Sequence, residues 1–393
     1  MEAECDTRVR EAALPPPIAA MTDPAFYPEH PRSVELKQTH ISYLFLAGDY
    51  VYKVKKPVRF AFLDASCLRT RRELCESEIV LNRRLAPNIY LGVVPIVRTS
   101  GGYALGGPGQ MHAAEEFAVK MRRLDESRML DVLVKNGTAT PAMMRAVAER
   151  VAQFHAHTPA KCGWRYGSAA AVWQRVIGDL VSYEQFIGYT ISGRELAEIE
   201  AFCRNFIETR WGLINQRASD GRVRDCHGDL RAEQICMDRE LNIFDCVEFS
   251  ERLRYGDVAS EVAFLAMDLD RLGAPRLAQE FVSSYSEISA DAGLASMLPM
   301  YKCYRASIRA MVESLRSTLP EIAEKERAAA KTAAEAYFSL AHRYATLARP
   351  ALIAICGSSG TGKSTLARSL RERIGFEIVN SDMTRKRIAG NSA

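Results

Sequence analysis

The sequence predicts an α+β protein: a β-rich lobe, a larger helical lobe, and a partial α/β unit at the C-terminal end. Three observations predict it. Between residues 33 and 124, short apolar runs alternate with turn residues, as strands do. From 125 to 349, apolar positions recur with helical spacing and breakers are few. In residues 350–393, an apolar run, a glycine-rich loop and a helical segment follow one another.

Taken in order, residues 1–32 are rich in Pro and Ala, show no period and are expected to form a flexible leader. Thr39–Leu46 (THISYLFL) and Tyr50–Lys56 (YVYKVKK) read as strands joined by a turn at Ala47-Gly48-Asp49. The two-residue period puts Val51, Lys53 and Lys55 on one face of the second. Ser66–Leu85 reads as a helix with a rough apolar stripe, and Ile89–Val97 as a strand. The glycines at 101–102 and 106–109 lack the strand-then-helix context of a phosphate loop, so they are expected to be hairpin turns. Phe117–Leu124 is the last strand of the lobe and leads into a hinge. In the helix Pro141–His157, Met144, Val147, Val151 and Phe154 form a buried face, and His155 and His157 take packing or capping roles. Trp164, Trp173 and Trp211 are expected in the core. Val258–Leu272 is a helix, and helices continue over 276–348 with breaks near Pro299 and Pro320.

The chemistry concentrates in His227–Asp257, HGDLRAEQICMDRELNIFDCVEFSERLRYGD. Leu241–Asp245 (LNIFD) reads as a short buried strand, and a strand–turn–strand hairpin brings Asp229 and Asp245 to one edge. Two carboxylates there can divide the labour of phosphoryl transfer. One takes the proton of an acceptor hydroxyl, and the other holds Mg²⁺ on nucleotide phosphates.

These residues resemble the aminoglycoside phosphotransferase group of the protein-kinase-like fold. That group's catalytic loop begins HGD, carries a metal-binding Asn seven residues after the His, and is followed by a metal-binding Asp in a strand. His227, Asp229 and Asp245 match. Gln234 stands in the Asn slot, a departure that sets its amide one methylene further out. The resemblance implies Asp229, with His227, as the catalytic loop, and Asp245 and Gln234 as Mg²⁺ ligands. It implies Lys53, which follows VY, as the lysine on the ATP phosphates, in preference to Lys55. Glu78 would orient that lysine, with Glu73 the alternative, and backbone groups at Met121 and Arg122 would hold adenine. Asp257 would cap the following helix and steady the loop. No GxGxxG lies between the first two strands, which separates the chain from true protein kinases.

Near the C-terminal end, Leu352–Cys356 (LIAIC) reads as a buried strand, followed by GSSGTGKS and a helix over Thr365–Arg373. This is a Walker A pattern in strand–loop–helix context. Gly357, Ser358, Ser359, Gly360, Thr361 and Gly362 would wrap phosphate with backbone N–H groups, Lys363 would neutralise its charge, and Ser364 and Thr365 open the helix, Ser364 as a Mg²⁺ ligand. Phe376–Asn380 reads as a second strand. With no further strands, residues 350–393 read as a truncated P-loop unit. The whole pattern resembles bacterial two-domain proteins that join an aminoglycoside phosphotransferase-like domain to a C-terminal P-loop domain, from about Ser33 onward. The expected division is a leader 1–32, an N-lobe 33–124, a helical C-lobe 125–349 and the P-loop unit 350–393.

Composition narrows the function classes. Residues 350–393 hold seven Lys and Arg against three Asp and Glu, which accounts for the whole net charge of +4. The balanced body gives no electrostatic footprint for nucleic acid. No run of 18 apolar residues spans a membrane. MEAECDTRVR lacks the basic start and apolar core of a signal peptide. Ten cysteines without a CxxC pair are expected as reduced thiols of a cytoplasmic protein. The reading is an ATP-dependent phosphotransferase acting on a hydroxyl of a small molecule, with an additional ATP-binding P-loop. The alternative is a nucleotide-binding pseudokinase that regulates a P-loop kinase. Glu248, Glu251, Asp257 and Glu261 would favour a cationic acceptor, or else pair with Arg252 and Arg254.

Overall fold

The structure is a computed structural model and describes residues 14–39, 41–60, 63–160, 163–320, 322–347, 353–374 and 378–388. It divides into two compact units, Met1–Ala348 and Arg349–Ala393.

The first unit has the two lobes of a protein-kinase-like α+β fold. Its N-lobe is a six-stranded antiparallel sheet in the spatial order Val34–Gln38, Ser42–Ala47, Tyr50–Lys55, Ala114–Arg122, Tyr90–Thr99 and Gly102–Leu105. The glycines at 101–102 turn the last hairpin, Thr99 pairing with Gly102. Alternation sends the side chains of the central strand to opposite faces. Tyr52 and Val54 join an outer cluster, while Val51 packs in an inner one against the helix Leu68–Asn82. That helix buries Arg71, Cys75, Glu78, Ile79 and Asn82. This is a helical period, but three of the five are polar, so an apolar stripe could not mark it. Arg71 and the buried Glu116 form a two-pronged ion pair that ties helix to sheet.

The leader expectation is corrected for residues 14–32. Pro16–Ala20 is a helix, and Ile18, Met21 and Tyr27 are buried against Phe45, Tyr52 and Ile96. A sheet with Tyr and Phe on its second face must remove that face from water, and this segment does so. The Tyr27 hydroxyl donates to the Met21 carbonyl at 2.6 Å.

The helical lobe surrounds one large core. Met144, Val147, Val151 and Phe154 of Pro141–His157 are all buried in it. The tryptophan expectation is corrected: Trp164 and Trp211 are 59% and 41% exposed, and only Trp173 packs against the core. The expected break at Pro299 is also absent. The helix Leu294–Thr318 runs through it, and the interruption falls earlier, where Ala290 takes a left-handed conformation after Pro275–Ser289. Glu324–Leu347 lies along Leu294–Thr318, with Ala330, Ala334, Ala341 and Ala345 among its buried positions. Small side chains allow that close approach.

In the second unit, Gly357, Gly360 and Gly362 have positive φ values of 152°, 85° and 82°, and the helix Lys363–Ile374 starts at the end of the loop. The expected flanking strands are not found among the described residues. Ile353–Cys356 is irregular, with Ile353 49% exposed, and Ile378–Asn380 leads straight into the helix Ser381–Ile388. Leu352 and residues 376–377 lie outside the described residues. A strand exists only through a hydrogen-bonded neighbour, and no such neighbour is present among the described residues of this unit.

Candidate active site

The hairpin Ile235–Met237 and Leu241–Ile243 follows the HGD loop, and Gln234 and Phe244 continue it at its open end through a 3.0 Å backbone bond. Asp245 comes next, with φ +63°. A left-handed non-glycine residue costs on the order of 1–3 kcal/mol and clusters at functional positions. Here the conformation is held from the N-lobe. Asp245 N–H donates to the Tyr90 hydroxyl at 3.1 Å, and Cys246 N–H donates to Asn82 Oδ1 at 2.8 Å.

Asp245 meets Lys53 at 2.6 Å, and the same ammonium meets Glu78 at 2.8 Å. Glu73, in contrast, lies on the outer face of its helix. Lys55, the other inward lysine, also reaches Glu78, at 2.5 Å, and pairs with Glu248. Desolvation opposes the charge on Lys53, but Asp245 and Glu78 outweigh it and push its pKa well above the ordinary lysine value. Desolvation would also raise Asp245, yet Lys53 holds it below the usual carboxylate range. Glu248 shows the reverse balance: burial raises it despite Lys55.

Asp229 stands two residues after His227, and Arg231 grips both its oxygens, at 2.8 and 2.9 Å. Desolvation pushes this carboxyl up, but Arg231, then Arg309, pull it far below the usual range. Gly228 between them has φ +88°, and a Cβ there would come within 3.1 Å of Val247 and 3.3 Å of the Leu253 carbonyl. His227 is buried. Its Nε2–H donates to the Phe244 carbonyl at 2.9 Å, and burial lowers its pKa so that it stays neutral. It binds the HGD loop to the strand that carries Asp245.

Two further carboxylates, not singled out for this role by the sequence, fix the loop backbone. Glu261 accepts from the N–H groups of His227 at 3.0 Å and Gly228 at 2.6 Å, and from His155 Nε2 at 2.8 Å. Tyr285 completes the chain at His155 Nδ1. Asp268, seven residues on, accepts from Ala232 N–H at 3.0 Å. Both lie on the helix Val258–Arg271, whose first-turn cap is Asp257, bonded to Ala259 N–H and to Arg217. Burial raises Glu261, but His155 and His227 bring it down to about 2. His155, Cys226 and Glu261 are also close enough to share a metal ion. However, the His–Glu pair is already hydrogen-bonded, and burial keeps the Cys226 thiol protonated, so we read this cluster as structural.

The residues suggested for adenine sit in the last strand of the lobe, as expected. Met121 and Arg122 lie inside the sheet, paired with Val51 and Tyr50, and the Arg122 and Arg123 N–H groups are taken by Ile89 and Asp49. Backbone free of the sheet begins beyond them. For a metal, the donors suit a hard cation such as Mg²⁺. Asp245 supplies a carboxylate 42% exposed in the cleft, and Gln234 Oε1 is buried with no hydrogen-bond partner among the described residues. In the second unit, Lys363 Nζ lies on the Gly357 and Ser358 carbonyls at 2.8 and 2.5 Å, folded back over its own loop. Ser364 and Thr365 occupy the first turn of the helix.

A sheet lobe with a buried Lys–Glu pair, a helical lobe with an HGD loop, and an aspartate after the following hairpin define a kinase-like protein, here joined to a P-loop unit. The chain belongs to the family of the uncharacterized proteins Rv2004c of Mycobacterium tuberculosis (strain ATCC 25618 / H37Rv) and Mb2027c of Mycobacterium bovis. It is 34% identical to each over 357 residues, which is 90% of this chain and 68% of theirs. A family model described as an AAA domain matches residues 352–393. Similar solved structures include a choline/ethanolamine kinase family protein from Mesorhizobium loti (TM-score 0.44, 13% identity, 84% of this chain and 98% of that one). Another is an aminoglycoside phosphotransferase from Alicyclobacillus acidocaldarius (TM-score 0.42, 11% identity, 87% and 97%). The fold assignment rests on the sheet order and site geometry described above. No helix among the described residues is long and apolar enough to cross a membrane.

Two outcomes are expected. Glu261→Ala leaves two buried backbone N–H groups and His155 without their acceptor, and should cost the larger unit about 3–5 kcal/mol. Urea denaturation checks this, and a loss below about 1 kcal/mol, the worth of an ordinary exposed pair, would contradict it. Arg231→Met removes the largest of the charges that depress Asp229 and leaves Arg309, so its pKa rises. Because the ionised form is needed above that pKa, the acid limb of any activity that uses Asp229 should move to higher pH. An unmoved limb in a pH–rate profile would contradict the assignment.

Proposed function

We propose that the larger unit transfers phosphate from ATP to a hydroxyl of a small molecule, and that the P-loop unit is an additional ATP-binding site. The observation that carries this reading is the convergence on Lys53 of Glu78 and Asp245, from a helix of one lobe and a loop of the other. Lys53 holds the nucleotide phosphates, and Glu78 fixes its ammonium. Asp245 and Gln234 would hold Mg²⁺, which would offset the charge on the phosphates. Adenine lies against Val51, Met121, Leu124 and Phe244, which share one apolar cluster, with backbone from Leu124 onward in place of Met121 and Arg122. The acceptor oxygen bonds to the γ-phosphorus as its bond to the ADP oxygen breaks, and the hydroxyl proton passes to Asp229. A carboxylate so strongly depressed is a weak base. Asp229 therefore acts first by orienting the hydroxyl and takes the proton as the new bond forms.

A regulatory nucleotide-binding unit without transfer is the second reading, favoured by Gln234 in the metal slot and by the grip of Arg231 on Asp229. Transfer of labelled γ-phosphate to a panel of hydroxylated acceptors tests the two. Asp229→Asn should reduce transfer by at least about a hundredfold, in the range of general-base effects, with ATP affinity kept. Transfer equal to that of the parent would remove Asp229 from the mechanism. Lys53→Ala should weaken ATP binding more than Lys55→Ala, because Lys55 is committed to Glu248 and Glu78. The reverse order, measured by calorimetry, would move the phosphate contact to Lys55.

A further inference from the structure

The sequence left a cationic acceptor open, on four acidic residues, and the structure commits three of those to other partners. Glu248 pairs with Lys55, Asp257 with Arg217, and Glu261 with His155 and the loop backbone. Glu251, the fourth, is bonded by the Tyr166 hydroxyl at 3.3 Å. The space lined by Arg231, the partner of Asp229, has a different character. A cavity of about 290 Å³ opens between the catalytic loop and the helices Leu294–Thr318 and Glu324–Leu347. Arg231, Arg271, Arg309 and Arg316 line it, together with Glu233, Glu313 and Glu326. Arg231 is the residue that grips Asp229, so the cavity lies one guanidinium away from the proposed base.

The four arginines are not equally committed. Arg231 is used by Asp229 and Glu233, and Arg271 by Asp268. Arg309 meets Glu313 at 2.6 Å through one terminal nitrogen, but its Nε is buried with no hydrogen-bond partner among the described residues. Arg316, two turns further along the same helix face, has only long contacts: Glu326 at 3.5 Å and Glu313 at 3.9 Å. Glu326 is 61% exposed, so this pair is weak and easily exchanged. The remaining wall includes Ala329, Ala330 and Ala333, small side chains that leave room, and the ring of Tyr337 with Arg271 5.0 Å from its centroid. A guanidinium presents a planar fork that matches carboxylate and phosphate oxygens two at a time.

From this arrangement we infer that the cavity is the acceptor site, and that the acceptor is a small hydroxylated molecule carrying an anionic oxygen group, phosphate or carboxylate, held by Arg316 and Arg309 with its hydroxyl toward Asp229. The inference rests on the phosphotransferase reading for the word acceptor, but the binding preference stands on the cavity alone. The anionic group displaces Glu326 from Arg316 and supplies the acceptor that Arg309 Nε lacks.

Binding can be read without turnover. The probes are glucose 6-phosphate, gluconate, glucose and glucosamine, which share a carbon skeleton and differ in charge. They are titrated calorimetrically at low salt into the full chain carrying Lys363→Ala, which silences the P-loop. At least one of the two anions is expected to bind more tightly than glucose, and glucosamine least. Adding Arg316→Gln should weaken the anion about tenfold, the worth of one charge-assisted hydrogen bond, and leave glucose unchanged. Comparison of the two anions separates phosphate from carboxylate. Anions that bind no better than glucose, including no detectable binding, or a preference for glucosamine, would overturn the inference, as would an anion affinity indifferent to Arg316→Gln. Anion binding with no phosphate transfer to any acceptor would instead overturn the phosphotransferase reading and leave an anion-binding pocket.

Discussion

The first unit depends on one buried cation. Lys53 is 8% exposed, and its ammonium joins a helix of the sheet lobe to the loop that carries Asp245, 192 residues later in the chain. A charge in that position persists only if it is paired and hydrogen-bonded. Removing one partner of such a cluster costs about 3–5 kcal/mol, so Glu78 and Asp245 hold each other in place through it. Lys55 and Glu248 extend the cluster away from Asp245, and Glu78 serves both lysines. The relative setting of the lobes is therefore coupled to the ionisation of the groups that would meet a nucleotide. Asp245 pays for its left-handed backbone out of the same set of contacts, with Tyr90 and Asn82 bonding its loop from the sheet-lobe side.

The HGD loop is fixed from the opposite side by the helix Val258–Arg271. Every residue from Val258 to Leu269 is buried, so the helix cannot shift without opening the core. Glu261 and Asp268, two turns apart, project the same way and accept three loop N–H groups between them. A loop held by its backbone can present Asp229 with little freedom, and Arg231 then fixes the plane of the carboxylate. Rigid placement of this kind is what a positioning-dominated reaction such as phosphoryl transfer requires.

Much of this was legible in the sequence, for physical reasons that differ by element. Strands with clear alternation, such as Tyr50–Lys55, and helices with an apolar face, such as Pro141–His157, announce themselves by period. The motif positions Lys53, Asp229, Gln234 and Asp245 were named through the resemblance, from the VYK context, the HGD loop and the slots that follow it. Glu78 was harder, since the buried face of its helix is largely polar and only the resemblance favoured it over Glu73. Glu261 and Asp268 carried a signal that went unread: two acids seven apart inside the largely apolar run Val258–Leu269 must be buried, and buried carboxylates need donors. The docking of residues 14–32 was illegible because three anchors, Ile18, Met21 and Tyr27, follow no period. The exposure of Trp164 and Trp211 shows the limit of composition, which assigns large apolar residues to a core without knowing where the core ends. The last strand of the lobe ends at Arg122 rather than at the expected Leu124, because strand ends are set by partners rather than by the strand's own residues.

The two units raise competing claims to ATP. The P-loop keeps its local anion-binding geometry, three positive-φ glycines and a helix N-terminus, while the cluster on Lys53 belongs to the kinase-like unit. The account assigns turnover to the latter. The most direct test is ATP consumption by the full chain with Lys363→Ala compared with Lys53→Met, each in the presence of the acceptor panel. The account predicts that Lys363→Ala keeps most of the turnover and that Lys53→Met loses nearly all of it. Loss in Lys363→Ala with retention in Lys53→Met would place the working site in the P-loop unit and contradict the account.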